Sequence, residues 1–284
     1  MEADPFAPLL FATKLGLYGS ALLAAGLGLH SSLNIVDRND ERHALRSGAL
    51  AALVALFFAA FRLALANVQL GGVNALLDPA TLSWTWPALG ASTVAISIGA
   101  AAFVAGWLLR SRIATGAGAI AFAASFALTG HSQALDAPGL APWAVAAHVL
   151  IAAFWFAGPI TLWPTRELEV TALTARVGRF STVAVAAVPI LFALGLWLAL
   201  LLAGGLTPLL TSLYGQLLLA KLAAASFALA LGAYNKAIVT SQLQTAPERG
   251  QLALKLTLSS DVALFTIALA AVAAATTITG PPSP

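Results

Sequence analysis

Two histidines that flank one short loop are the residues of this sequence whose type and spacing best suit metal chemistry. The stretch LTGHSQALDAPGLAPWAVAAHVL covers residues 128–150, and its loop between His131 and His148 contains no lysine or arginine. Neutral imidazole is the commonest protein ligand for copper and zinc, and it also ligates haem iron. Because the chain has only 4 histidines, two of them beside one loop predict part of a metal site.

The composition indicates that this loop belongs to a membrane protein. Sixty per cent of the residues are apolar and 9% are charged, whereas a soluble globular chain carries about 25% charged residues. The net charge of +3 is too small to indicate a nucleic-acid partner. With no cysteine and a single methionine, Met1, the chain offers neither a thiolate metal site nor an internal methionine relay.

Long apolar segments predict an all-α membrane protein. A spanning helix needs roughly 20 mostly apolar residues, and eight segments meet that requirement. The joints between them are short, so we expect residues 1–284 to form a single membrane domain, a bundle of eight transmembrane helices. The predicted segments are about 8–35, 46–70, 87–109, 113–131, 142–164, 182–203, 214–239 and 252–278.

Lysine and arginine alternate between the joints and so predict the orientation. The joints after the first, third, fifth and seventh segments are basic, while the N-terminus, the other joints and the tail contain no Lys or Arg. Basic joints stay in the cytoplasm. We therefore expect both termini in the periplasm of a bacterial inner membrane. The acidic start, MEADPFAPLL, does not resemble a signal peptide.

This orientation places both histidines near the periplasmic face. His131 ends the fourth segment, and His148 lies about 9 Å below the face at ~1.5 Å per residue of the fifth. The short loop makes these helices antiparallel neighbours, so the two imidazoles are expected to converge. Trp155, seven residues beyond His148, would form the floor of the site. The alternative is that His131 caps its helix and His148 hydrogen-bonds a neighbouring helix.

Carboxylates on the same side are candidate accessory metal ligands, since they attract and bind divalent cations. They are Glu2, Asp4, Asp78 and Asp136. Imidazole must be neutral to ligate, so metal binding should weaken as the pH falls through about 6.5.

Ionisable residues within spanning segments are costly and mark functional positions. We expect an intramembrane polar network formed by Lys14, Arg62, Lys221 and Asp261. Asp261 should be buried among helices and paired with one of the three basic residues or protonated. Near the inner end of the first segment, His30 is a candidate second site.

Several stretches resemble the copper resistance D (CopD) family. They are HVLIAAFWFAG (148–158), RFSTVAVAAVPILFALGLWLALLLAGG (179–205), LYGQLLLAKLAAASFALALGAYNK (213–236) and, more weakly, TGHSQ (129–133). An acidic residue in the last helix, here Asp261, also fits. The resemblance covers residues 120–284 well and the first three helices loosely, and 179–236 is its specific part.

The resemblance implies copper handling in the inner membrane, usually import from the periplasm, beside a small periplasmic copper-binding protein. His131 and His148 are the positions that carry the expected metal site. The chain departs from a typical copper transporter because it has no internal methionine or cysteine, the ligands that Cu(I) prefers. A Cu(II) entry site built from histidine and carboxylate is therefore favoured over a methionine-rich Cu(I) path.

Two other functions stay open on the sequence. One is a haem-b membrane electron carrier, which needs two axial ligands. His131 and His148 lie near one interface, which does not suit a shared haem, but His30 leaves an inner site open. The other is a scaffold that delivers copper to an oxidase. An enzyme is not expected, because no Ser-His-Asp, HExxH or phosphate-loop pattern occurs.

Overall fold

The computed structural model describes residues 5–37, 41–130, 133, 137–165 and 168–279. Within these ranges all the regular secondary structure is helical, and no strand occurs. The all-α prediction is therefore confirmed. Glu2, Asp4, His131 and Asp136 lie outside the described residues, so what the sequence predicts for them stays a prediction.

Eight helices follow one another at the positions of the predicted segments. They are α1 (Ala7–Ser32), α2 (Glu41–Gly71), α3 (Pro79–Leu109), α4 (Arg112–Ala127), α5 (Ala141–Thr161), α6 (Val170–Ala203), α7 (Leu213–Thr245) and α8 (Pro247–Ala275). Short helical turns occupy Val73–Ala75 and Leu206–Thr211.

Seven of these helices are long and apolar enough to cross a membrane. The exception is α4, whose 16 residues extend about 24 Å at ~1.5 Å per residue, against a hydrocarbon core of ~30 Å. The structure thus supports a polytopic membrane protein. A crossing by α4, and with it the count of eight spans and the periplasmic termini, stays a prediction.

The helices α3 and α6 begin earlier than the sequence predicts. A search for apolar segments marks only the part of a helix that suits lipid, whereas capping decides where the helix starts. The side chain of Asp78 accepts hydrogen bonds from the backbone of Ala80 and Thr81, and Pro79 occupies the first turn, so α3 starts at 79 and not at 87. Residues 170–181 form the start of α6 but contain Arg176 and Arg179. Because of these charges, the predicted apolar segment begins only at residue 182.

Helix α1 lies at the centre of the bundle, where small residues let other helices approach. A Cβ atom added to Gly26 would lie 2.0 Å from the carbonyl oxygen of Ala153 on α5. One added to Gly28 would lie 2.6 Å from the carbonyl oxygen of Thr115 on α4. Backbone contacts of this kind are typical of helices packed in lipid. They fix α5, which carries His148, against the central helix.

Candidate functional site

His148 projects from the second turn of α5 towards α6. Its Nδ1 lies 3.2 Å from the carbonyl oxygen of Leu191, and its Cε1 would lie 3.0 Å from a Cβ atom at Gly195. A carbonyl oxygen can only accept a hydrogen bond, so Nδ1 carries the proton and donates it. Nε2 is then the nitrogen with a lone pair, which is the arrangement that orients metal-binding histidines in proteins.

A cavity of about 440 Å³ lies beside this imidazole. His148 and Trp155 both line it, which agrees with the prediction that they share one face of α5. The floor is aromatic: Trp155 meets Phe265 edge to face, with ring centroids 6.2 Å apart, and Phe156 meets Phe265 at 5.4 Å. The cavity is therefore a cleft between the helices, with a polar group on its wall and aromatic rings below.

The cavity lies at one end of the bundle. Its lining comes from the beginnings of α1, α5 and α7 and from the ends of α4, α6 and α8, for example Lys14, Tyr214 and Thr276. Successive helices run in opposite directions, so the beginnings of odd-numbered helices and the ends of even-numbered helices lie on the same side of the bundle. That side carries the joints without lysine or arginine, which the sequence assigns to the periplasm.

Three basic residues of the predicted polar network line this cavity together. They are Lys14, Arg62 and Lys221. Lys14 donates a short hydrogen bond to the carbonyl oxygen of Thr276 and lies close enough to Arg62 for the two charges to interact. Lys221 lies close enough to His148 for its charge to act on the imidazole. No carboxylate appears among the described residues that line the cavity, so its wall is cationic.

Asp261 does not join these three residues. It is buried, as predicted, with only 3% of its surface exposed. It lies one helical turn before Phe265, where the lining contributed by α8 begins. Among the described residues, its Oδ1 has no hydrogen-bond partner and its carboxylate forms no ion pair. The expected pairing with a basic residue is thus not seen in the described part of the chain.

His30 is fully buried between α1 and α5. Its Nε2 lies 2.8 Å from the carbonyl oxygen of Phe154, and its Nδ1 lies 2.8 Å from Oγ1 of Thr161. Since a carbonyl only accepts, Nε2 is the donor and Nδ1 accepts from the hydroxyl when the ring is neutral. Both nitrogens are therefore occupied by protein groups, and the ring ties α1 to α5. A metal at His30 would have to displace one of these bonds.

Asp78 is occupied as well. Its Oδ2 accepts hydrogen bonds from the backbone N–H of Thr81 at 2.9 Å and from its hydroxyl at 2.7 Å. These bonds hold the pKa of the Asp78 carboxyl below its ordinary value. Among the described residues, no group of three or more histidine or carboxylate side chains comes together as a ready metal site. His148 is accordingly the one predicted metal ligand in the described ranges that faces the cavity.

The fold and the cavity define a helical membrane protein with a cleft between its helices. Residues 174–275 match the model of the copper resistance protein D family, so the chain is CopD-like over α6, α7 and α8. The match includes the stretch 179–236 on which the resemblance chiefly depended. It covers about a third of the chain and includes Leu191, Gly195 and Lys221, but not His148. Neither the curated proteins nor the solved structures yielded a match.

The sequence alone did not single out Leu191 and Gly195, the two residues that hold His148. A backbone carbonyl carries no sequence signal, because any residue type supplies one. Gly195 is one of 23 glycines. Its position two turns after Pro189 in an apolar helix was the one available hint, because isolated glycines there are typical of close approach.

Proposed function

We propose that the protein binds copper at His148 and moves it inward from the periplasmic side. The observation that carries the proposal is that Leu191 and Gly195, within the copper resistance protein D match, hold the imidazole of His148. Their contacts orient Nε2 as the lone-pair nitrogen of a side chain that lines the cavity. The match to the copper resistance protein D family is the reason for proposing copper as the metal. The orientation of the His148 ring is the reason for proposing Nε2 as a ligand.

Further ligands would come from residues outside the described ranges. His131 precedes α5 across the short loop, and Glu2, Asp4 and Asp136 belong to the same predicted side. Imidazole and carboxylate together suit Cu(II) better than Cu(I), which prefers sulfur ligands. We infer that copper is received as Cu(II), beside a small periplasmic copper-binding protein that supplies it.

The charge of Lys221 opposes a bare cation at His148. Like charges in a medium of low dielectric constant repel strongly. Copper at Nε2 therefore needs at least one anionic ligand, such as a carboxylate, to offset the charge of Lys221. Replacing Lys221 with glutamine should consequently tighten copper binding, whereas His148→Ala should weaken it.

Copper accumulation in whole cells tests transport. Cells that express the protein in copper-supplemented medium should gain copper, and His148→Ala should abolish the gain. His43→Ala is the matched control, because His43 is exposed at the start of α2. Equal accumulation with wild type and His148→Ala would contradict import through this site. Copper bound by the purified protein without any cellular gain would instead favour the delivery scaffold.

The haem-b alternative has one supporting observation, the aromatic floor of the cavity. It also needs a second axial ligand. Within the described ranges His148 is the histidine that lines the cavity, and both nitrogens of His30 are bonded to protein groups. A Soret band in the purified protein that His148→Ala removes would favour the electron carrier over the copper protein.

A further inference from the structure

We propose that the cavity also binds an amphiphilic anion, a carboxylate or phosphate group carried on an apolar chain. This inference does not depend on copper. It rests on the charges at one end of the cavity, the apolar surface at the other and the volume between them.

The charges come first. Lys14, Arg62 and Lys221 line one cavity, and no carboxylate from a described residue joins them there. Elsewhere among the described residues, Arg112 pairs with Glu41 and Arg179 with Asp37, and none of the three takes part in these ion pairs. An arginine side chain cannot lose its proton in a protein, and a charge within a membrane-spanning segment is costly without a counter-charge. A bound anion supplies the counter-charge that the described residues do not.

The apolar end lies deeper. Trp155 packs beside Gly232 on α7, since a Cβ atom there would be 3.5 Å from its Cζ2. Gly232 follows Lys221 by eleven residues, or about 16 Å along the helix at ~1.5 Å per residue. The cavity is thus cationic at its outer end and aromatic at its floor. A molecule that satisfies both ends is an anion with a hydrocarbon body.

The size agrees with such a ligand. At about 440 Å³ the cavity falls within the 300–1,000 Å³ range of small-molecule pockets, whereas one water needs about 30 Å³ of liquid volume. A metal ion alone would leave most of it unfilled. The shared chemistry, an anionic head on an acyl chain, belongs to free fatty acids and to anionic phospholipids.

Quenching of tryptophan fluorescence by 11-bromoundecanoate tests the proposal, because the bromine sits at the end opposite the carboxylate. In a non-ionic detergent with EDTA present, we expect saturable quenching that Trp155→Phe removes. The methyl ester, which carries the same bromine without the charge, should bind roughly tenfold or more weakly. Equal binding of acid and ester would overturn the proposal.

Variants of the cationic end identify the site. Lys221→Gln and Arg62→Gln should each lower the affinity for 11-bromoundecanoate roughly tenfold. Lys236 is an exposed lysine further along α7, and Lys236→Gln should leave the affinity unchanged. If one cavity variant fails to fold, the other still decides. Wild-type affinity in both would refute the assignment. Competition by phosphatidylglycerol at lower concentrations than undecanoate would identify a phospholipid, and the reverse order of potency a free fatty acid.

The experiment is separable from the copper proposal. The assay contains EDTA, which removes copper, and it measures only the binding of the anion. A negative result would therefore contradict the anion proposal and not the copper proposal. Lys221→Gln is predicted to lower the affinity for the anion and to raise the affinity for copper. A general loss of fold would lower both affinities, so opposite changes would show that the variant is folded and that two separate ligands bind.

Discussion

The imidazole of His148 lies against the backbone of Gly195, so that a Cβ atom at position 195 would come within 3.0 Å of its Cε1. Few real Cβ contacts are so short, and the neighbouring group is a ring held by a hydrogen bond to Leu191. The absence of a side chain at Gly195 therefore defines where the imidazole sits.

Gly195→Ala should displace the ring and weaken copper binding without unfolding the protein. The methyl group pushes on a side chain that borders a cavity, so the ring has room to move. Gly178→Ala is the matched control, because a Cβ atom there would meet nothing within 4 Å on the same helix. Titration of the purified variants with Cu(II) gives the result, and equal affinities would mean that the position of the His148 ring is irrelevant to copper.

His30→Ala should cost stability and leave copper affinity unchanged. The substitution removes the two hydrogen bonds of the ring, to the carbonyl of Phe154 and to the hydroxyl of Thr161, each worth about 0.5–1.5 kcal/mol. The hydroxyl can still donate to the carbonyl of Ala157 at 3.2 Å. Thermal unfolding in detergent should show a lower midpoint than that of His43→Ala. A loss of bound copper in His30→Ala with an unchanged midpoint would instead support His30 as a second metal site.

The helices followed from composition, whereas the surroundings of the ionisable residues did not. An apolar run shows where lipid-compatible helices lie, and the burial of Asp261 follows from its place inside one. The choice of partners depends on helix depth and rotation, which single-sequence patterns do not specify. Lys14, Arg62 and Lys221 line one cavity, and Asp261 lies one turn beyond the floor of that cavity.

Asp261→Asn should destabilise the protein less than Glu41→Gln. Asp261 Oδ1 has no hydrogen bond to lose to any residue that the structure describes. Glu41 accepts bonds from Ser31 at 2.5 Å and from Arg112 Nε and Nη2 at 3.0 and 3.2 Å. Weakening a charged hydrogen-bonded pair costs about 1–3 kcal/mol. Thermal unfolding compares the two, and a larger loss for Asp261→Asn would indicate that its carboxylate has a partner within the protein.

Asp78 should act on the start of α3 and not on copper. Its pKa is lowered by Thr81 from the ordinary 3.8, so the folded state favours the charged form. The stabilisation is therefore present at neutral pH and is lost as the pH falls through the folded-state pKa, below 3.8. Hydrogen exchange at residues 80–83 should accelerate in Asp78→Ala and not in Asp78→Asn, which preserves a cap. Weaker copper binding in Asp78→Asn would restore the carboxylate as a ligand.

The copper content of the purified protein tests the central claim most directly. After loading with Cu(II) and removal of excess metal, elemental analysis should show copper bound to the wild type and to His43→Ala, and its loss in His148→Ala. Lys221→Gln should retain the metal, because it removes a repelling charge. Full copper content in His148→Ala, or none in the wild type, would contradict a copper site built on His148.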